Sequence, residues 1–288
     1  MMTKAEQLFL NCRFDESIKL LNVLAENDNP KAMYLLGKIY CWGLPNNKTN
    51  RELSNFWRKK GAEHNNILCQ LNLAYTSDMD NKQKENIISN TLNQIIDLAN
   101  AGDMYAQEEL GYIYIDRKNE EKAIEFYHLA AAQGFFAAFY DLGNIYYNKE
   151  NYSEAAHWYE LAGESGFDLG WRNLAILYDN GLGVYKDKEK AVDFYKKAYE
   201  ANGASKGECA NMIGLFYDNK YNYQNANKWF ERAGESGNSW GWYYLANDYL
   251  WGKRLPIDTE KAKYYYEKAC ALEGEATGDA ALQLGLLY

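Results

Sequence analysis

Basic charge, paired cysteines and long apolar runs are what this chain has least of. Its 288 residues hold 31 Lys and Arg against 40 Asp and Glu, a formal charge of −9. That is the wrong sign for affinity built on neutralising phosphates, so nucleic acid is not an expected partner. No run of 18 apolar residues occurs, and the opening MMTKAEQLFLNCRFDESIKLL breaks up its apolar residues with charge where a secretory leader needs an unbroken stretch. The expectation is a cytoplasmic protein without membrane insertion. The five cysteines, Cys12, Cys41, Cys69, Cys209 and Cys270, are odd in number, scattered and never spaced CxxC, which fits reduced packing residues better than a disulfide frame or a zinc site. HExxH, a Walker loop and a dinucleotide fingerprint are all missing, and His64, His128 and His157 have no second histidine or cysteine at ligand spacing. No cofactor, metal or catalytic residue is therefore expected, and the chain reads as a non-enzyme. Only 3 prolines accompany 26 tyrosines and 8 tryptophans, a balance that suits helices packed through large aromatic side chains.

What is present is a repeat. A pentad of Leu or Ile, a usually small residue, two variable positions and Tyr occurs as LGKIY at 36, LNLAY at 71, LGYIY at 110, LGNIY at 142, LAILY at 174, IGLFY at 213, LANDY at 245 and LGLLY at 284. Its tyrosines, Tyr40, Tyr75, Tyr114, Tyr146, Tyr178, Tyr217, Tyr249 and Tyr288, are spaced by 35, 39, 32, 32, 39, 32 and 39 residues. Four residues before the pentad stands a small residue, Ala32, Ala106, Ala138, Gly170, Cys209, Gly241 or Ala280, with Ile67 the exception. Positions i, i+4 and i+8 share a helix face, so small residue, Leu and Tyr form one stripe. A second signature follows the pentads at 110, 142, 174, 213 and 245: Ala123 with Phe126 and Tyr127, Ala155 with Trp158 and Tyr159, Ala191 with Phe194 and Tyr195, Ala226 with Trp229 and Phe230, Ala262 with Tyr265 and Tyr266. Spacings of 3 and 4, with alanine again at 7, mark a second amphipathic helix. A helix pair this short cannot bury its aromatic stripe alone, so neighbouring pairs must stack, and the fold class is an all-α solenoid.

The stretch DNGLGVYKDKEKA, residues 179–191, has the look of a phosphate-cradling glycine loop. Its place in the repeat argues otherwise. The same joint reads WGLPNNKTNREL from 42 and WGKRLPIDTEKA from 251, each without the second glycine, and three shorter units, DRKNEEKA from 116, NKENYSEA from 148 and NKYNYQNA from 219, have none. A site residue would not be lost at every other copy, so Gly181 and Gly183 make a turn. AGESGF from 162 and AGESGN from 233 end second helices with glycine, the expected left-handed stop rather than a nucleophile elbow. Residues 76–91 read as an enlarged polar joint.

The pattern AxxxLGxxYxxGxGVxxDxxKAxxWYxKAAxxG resembles the Sel-one-like repeat, a relative of the tetratricopeptide repeat. Residues 170–203 match through Gly170, Leu174, Tyr178, Gly181, Gly183, Val184, Asp187, Lys190, Ala191, Tyr195, Ala198 and Gly203. The resemblance spans about residues 29–288, closest in the last five units and partial in the first two. It implies a right-handed α-α superhelix of about seven repeats plus terminal elements. The expected division is a divergent N-terminal helix pair over 1–28, with Leu8, Phe14, Ile18 and Leu21 inward, repeats at 29–65, 66–102, 103–134, 135–166, 167–205, 206–237 and 238–274, and a terminal half repeat over 275–288. It also implies an adaptor or scaffold, bacterial in setting, that brings proteins together. Some cysteine-rich members are associated with β-lactam hydrolysis, but Cys270 lacks a repeating partner and that activity is not carried over.

Positions two residues before and after the pentad leucine, and five before and after, face away from the core stripe and in related repeats line a groove. Here they give Tyr34, Lys38, Tyr105, Glu108, Tyr112, Tyr140, Asn144, Tyr147, Arg172, Asn211, Trp240, Tyr243 and Asn247. Rigid aromatics with amides suit a peptide or protein partner, although tyrosines at helical spacing also pack on neighbouring units. A peptide-reading scaffold and an inhibitor or immunity protein clamping one folded partner are both consistent with this face. The apolar AALQLGLLY segment further suggests weak self-association through Leu282, Leu284, Leu286 and Leu287.

Overall fold

In a computed structural model, which describes residues 1–42, 50–76, 79–252, 255–272 and 274–288, every regular element is a helix among the described residues. The elements are α1 (Met2–Leu10), α2 (Phe14–Glu26), α3 (Pro30–Trp42), α4 (Arg51–Glu63), α5 (Ile67–Thr76), α6 (Asn81–Asn100), α7 (Met104–Asp116), α8 (Glu120–Ala131), α9 (Phe136–Asn148), α10 (Tyr152–Glu164), α11 (Asp168–Asn180), α12 (Lys188–Glu200), α13 (Lys206–Asn219), α14 (Tyr223–Glu235), α15 (Ser239–Trp251), α16 (Thr259–Ala271) and α17 (Thr277–Leu286). Two compact units comprise residues 1–170 and 171–288. In each, helices adjacent in sequence pack side by side, the odd-numbered ones carrying the pentads from α3 onward.

Two rings close the pairs from α7 onward. The stripe itself is buried: Ala106 and Leu110 on α7, and Ala138 and Leu142 on α9, have no exposed surface. The pentad tyrosine then stacks on the first aromatic of the following helix, Tyr114 on Phe126 at 5.6 Å and 8° in the first unit and Tyr249 on Tyr265 at 5.7 Å and 11° in the second. The second aromatic crosses the first helix at the pentad's small residue. A Cβ added to Gly143 would sit 2.5 Å from the Tyr159 ring, and one on Gly214 2.7 Å from the Phe230 ring. Only a residue without a side chain lets ring and backbone approach this far.

Caps and stops follow the local sequence. Asp187 and Asp258 accept from the backbone N–H groups of Lys190 and Lys261, starting α12 and α16. Gly166 and Gly237 end α10 and α14 with φ of 95° and 86°. Gly181 and Gly183 are also left-handed, at 74° and 67°, and the Asp187 N–H returns to the Tyr178 carbonyl at 2.9 Å, closing the loop on itself as a turn. The shorter joints use one non-glycine left-handed residue each, Lys118, Glu150 or Tyr221. In the other two long joints, residues 43–49 and 253–254 lie outside the described residues. The polar segment 76–91 differs from the sequence expectation. Asp80 and Gln83 form a capping box, and α6 runs from residue 81 because Ile88, Thr91, Ile95 and Ala99 make a buried stripe at helical spacing that the surrounding Asn and Lys obscure.

The segment before the repeats does more than cover one end. Phe9 on α1 is fully buried, with its ring 5.8 Å from Trp42, 6.1 Å from Tyr105 and 5.6 Å from Phe136, so α1 reaches the pentad helices α3, α7 and α9. Leu21 is also fully buried, Leu8 is nearly so, and Phe14 and Ile18 are partly buried.

The ring-over-glycine contact predicts that Gly143→Ala destabilises the first unit by about 1–2 kcal/mol, because overpacking at a 2.5 Å approach exceeds the ~1 kcal/mol gained in helix propensity. Gly278→Ala on α17, with nothing within 4 Å of the added methyl, should be neutral or stabilising by up to ~1 kcal/mol. Chemical denaturation of the two variants checks both.

Candidate functional site

The first repeat pair, α3–α4, breaks the pattern that the five pairs from α7 onward keep. Aligning Ser54, Trp57 and Gly61 with the alanine, aromatic and alanine of other second helices puts Arg58 where they carry Tyr127, Tyr159, Tyr195, Phe230 and Tyr266. Arg58 takes the ring's path, its Cγ only 2.8 Å from where a Gly37 Cβ would be. In two of the four pairs that keep tyrosine, the phenol donates to the residue two after the pentad leucine: Tyr159 to Asn144 at 2.9 Å and Tyr266 to Asn247 at 2.7 Å. The corresponding residue over Arg58 is Lys38, another cation.

Two like charges cannot complete that bond, and each is left to the surroundings. The Lys38 ammonium donates to Glu108 at 2.7 Å and lies 3.0 Å from Glu109, both on α7. Glu109 also accepts from Tyr34 at 2.8 Å and Asn72 at 2.7 Å. Arg58 is only 4% exposed, yet its Nε has no partner, and among the described residues the guanidinium has no hydrogen bond or ion pair. Arginine cannot relieve this by losing a proton, so a buried charge stands uncompensated by contact.

Beside these groups lies a cavity of about 250 Å³, within the first unit, between α3, α4, α5, α7, α9 and the start of α11. Its polar wall is Lys38, Arg58, Asn72, Glu108, Glu109 and Asp141; its aromatic wall is Trp42, Tyr75, Tyr112, Tyr140 and Phe167. Tyr75 and Tyr112 meet edge to face at 4.7 Å, and Tyr140 meets Phe167 the same way at 5.4 Å. The three carboxylates diverge. Burial pushes Glu108 up to about 8, the opposing pull of Lys38 being smaller. Burial likewise lifts Asp141 to about 7, with Lys38 opposing and Glu109 adding. Glu109 is held below its ordinary value, because Lys38 and the Asn72 and Tyr34 hydrogen bonds together outweigh burial. Near neutral pH the cavity thus holds one firm carboxylate and two that exchange protons easily.

The sequence-derived groove residues divide by unit. In the first, Lys38, Glu108, Tyr112 and Tyr140 converge on the cavity. Tyr34 and Tyr105 are 1% and 2% exposed; Tyr34 supports Glu109 from behind, and Tyr105 packs on Phe9 while donating to Glu6 at 2.9 Å, so at these two positions packing prevails over surface. Asn144 is engaged by Tyr159, and Tyr147 is exposed beside Tyr152. In the second, Arg172 pairs with Glu208 at 2.8 Å, Asn211 is buried with an unpartnered side-chain oxygen, Asn247 accepts from Tyr266, and Trp240 and Tyr243 meet edge to face at 5.4 Å. Leu284 and Leu287 pack on the local core, while Leu282 and Leu286 are largely exposed. Sequence reasoning missed Arg58, Glu109, Asp141, Asn72 and Trp42. A signal existed for Arg58, an arginine at an aromatic register position. Glu109 and Asp141 stand immediately before the pentad leucine, a position the facing-residue arithmetic leaves out.

Stacked pairs of helices closed by a ring over a small residue define a helical repeat protein of the tetratricopeptide class. Within that class the chain belongs to the Sel1 repeat family, whose repeat matches residues 30–66, 105–135, 172–203, 207–238 and 243–273, more than half of the sequence; a tetratricopeptide repeat matches 136–164. No curated protein sequence matches it significantly. Among solved structures, it is similar to a Sel1 repeat protein from Oxalobacter formigenes, TM-score 0.59 and 25% identity, over 72% of this chain and 85% of that one. It is similar also to c5321, a protective antigen present in uropathogenic Escherichia coli strains and displaying the SLR fold, TM-score 0.56 and 25% identity, over 94% of this chain and 59% of that one. This chain therefore spans about three-fifths of c5321. Yeast Tom70 shares the fold at 14% identity, TM-score 0.58, over 95% of this chain and 58% of that one. Among the described residues no helix is long and apolar enough to cross a membrane.

Two substitutions test the electrostatics. Lys38→Met leaves Glu108 and Glu109 buried without their cation and should cost about 3–5 kcal/mol at pH 8, less at acid pH where Glu108 is protonated. For Asp141 the raised value means a contribution fully present below about pH 4 and lost as pH climbs to about 7. Asp141→Asn, which cannot ionise, should gain on the parent protein across that window and level off above it. With partial exposure discounted to roughly 1 kcal/mol, its melting temperature at pH 8 should exceed the parent's by about 2–4 °C. Melting curves from pH 4 to 8 measure this directly.

Proposed function

We propose that the protein is a non-enzymatic adaptor that holds a segment of a partner protein against its pentad helices, anchored in the cavity of the first unit. The observation that carries this reading is the convergence there of a buried guanidinium with no hydrogen bond or ion pair among the described residues, two easily protonated carboxylates and five aromatic rings. Small polar cavities with aromatic walls suit a side chain and its flanking backbone, since rings give contact area with little rotamer loss. Membership of a repeat family whose class is built for protein contacts supports it. Catalysis has less support: no histidine lines the cavity, Cys41 there stands beside no base of that kind, and the five cysteines are free, which gives no footing to the cysteine-rich hydrolase reading. A clamp on one folded partner is the second reading; the recessed, side-chain-sized cavity favours an inserted segment over a flat docking face. Trp240, Tyr243 and the exposed Tyr147 are candidates for further partner contacts, and Leu282 with Leu286 for weak self-association.

Affinity capture from the native cell with the parent protein and with the Tyr112→Ala, Tyr140→Ala double variant tests this. The reading expects a partner held by the parent and lost by the variant, with circular dichroism and melting unchanged. Equal capture by both, or a variant that no longer folds, contradicts it. Several pathway components among the captured proteins favour an adaptor, and one stoichiometric partner favours a clamp.

A further inference from the structure

We propose that the cavity of the first unit is a receptor for a basic residue of an extended segment, its cationic side chain reaching Asp141 and Glu108 and its main-chain carbonyl meeting Arg58. This rests on the segment-binding reading above and names the chemistry of what binds.

Lys38 is already matched by two glutamates, whereas Asp141 has no hydrogen-bond or ion-pair partner among the described residues although it lines the cavity. The same cavity is lined by Arg58, more than nine-tenths buried and equally unmatched. Two unmatched groups of opposite sign bordering one space, unpaired with each other, require an occupant that donates at one end and accepts at the other. A lysine or arginine residue within a peptide has both: the side-chain cation donates, and the carbonyl of its own backbone accepts. Its aliphatic stem would run along Trp42, Tyr140 and Phe167, whose ring faces also attract a cation. The protein's net charge of −9 draws basic partners at longer range. A divalent metal is the poorer fit, because among the described residues no three His, Cys, Asp or Glu side chains stand close enough to hold one.

Arg58 and Lys38 carry a second argument. Both stand where the α9–α10 and α15–α16 pairs keep a neutral, mutually bonded ring and amide, and both are buried charges. A position that departs from its repeat at a cost to stability is one retained for something other than folding.

The occupant also sets a proton balance. The charged groups that share the cavity with Asp141 are Lys38 on α3, Arg58 on α4, and Glu108 and Glu109 on α7; Cys41, Tyr75, Tyr112 and Tyr140 are the other titratable groups on the wall, and the buried phenol of Tyr127 on α8 lies within electrostatic reach of Asp141. A bound cation favours the ionised forms of Asp141 and Glu108, so protons leave on binding, and affinity rises as pH goes from about 6 to 8.

Isothermal titration calorimetry of the full chain tests this with three capped pentapeptides, four glycines around a central arginine, norleucine or glutamate. The expected result is binding of the arginine peptide about tenfold or more tighter than the norleucine peptide, no binding of the glutamate peptide, and heats that differ between phosphate and Tris at pH 7 because protons are released. Asp141→Asn, and separately Glu108→Gln, should lower arginine-peptide affinity about tenfold while the parent helicity is kept. Binding indifferent to the central side chain, or strongest for glutamate, overturns the cationic assignment and leaves segment binding intact. Failure of all three peptides at millimolar concentration also overturns it, and the capture experiment then decides the broader reading on its own.

Discussion

One contact organises this protein: an aromatic ring of a second helix laid across the small residue of a first. At Gly111, Gly143 and Gly214 the backbone and the ring of Tyr127, Tyr159 or Phe230 are so close that any side chain on the glycine would collide. The approach brings the pentad leucine and the alanines of both helices into one dry stripe, and it aims the phenol at a fixed place on the first helix. Spacing, stripe and aromatic register all follow from it. Loops can then change length freely, which is why joints with and without glycines serve the same helix pairs.

The candidate site lies beside the α3–α4 pair, one of two pairs that lack that contact; the other is α5–α6, where α6 has no aromatic residue and Asn72 takes the small position. With Arg58 in the ring's place and Lys38 at the position the phenol would address, the first repeat pair carries two charges where α9–α10 and α15–α16 carry a closed hydrogen bond. Glu108 and Glu109 answer Lys38, and nothing among the described residues answers Arg58. A simpler way of filling the space, an aromatic ring, exists five times over in the same chain, four times as tyrosine and once as Phe230. Polar interiors are tolerated when fully satisfied and are costly when partly so, and the buried charge left without a matching contact is what places the proposed site at this repeat.

The helical pairs, their stops and the turn at residues 181–187 were legible in the sequence because each is local and recurs: a small residue four before a leucine, a ring pair three and four after an alanine, a glycine at the end. Part of the cavity was legible too, as Lys38, Glu108, Tyr112 and Tyr140 came from one rule about helix faces. Asp141 and Glu109 escaped that rule because a residue next to the core leucine is turned only partly outward, and neighbouring helices decide whether it meets water or another charge. Phe9 escaped for another reason. It lies in a segment without the repeat and finds Trp42, Tyr105 and Phe136 through contacts separated by 33 to 127 residues, which no local pattern encodes. The start of α6 at residue 81 was hidden by polar residues that line its outer face.

The stability of Arg58→Tyr, followed by denaturant unfolding at pH 7, tests the central claim most directly. If the ring-over-glycine contact governs the fold and the first pair forgoes it for a site, restoring a tyrosine over Gly37 raises the unfolding midpoint, because a ring replaces an unmatched buried charge. A lower midpoint would mean that Arg58 holds the first pair together and that the departure from the repeat serves folding after all.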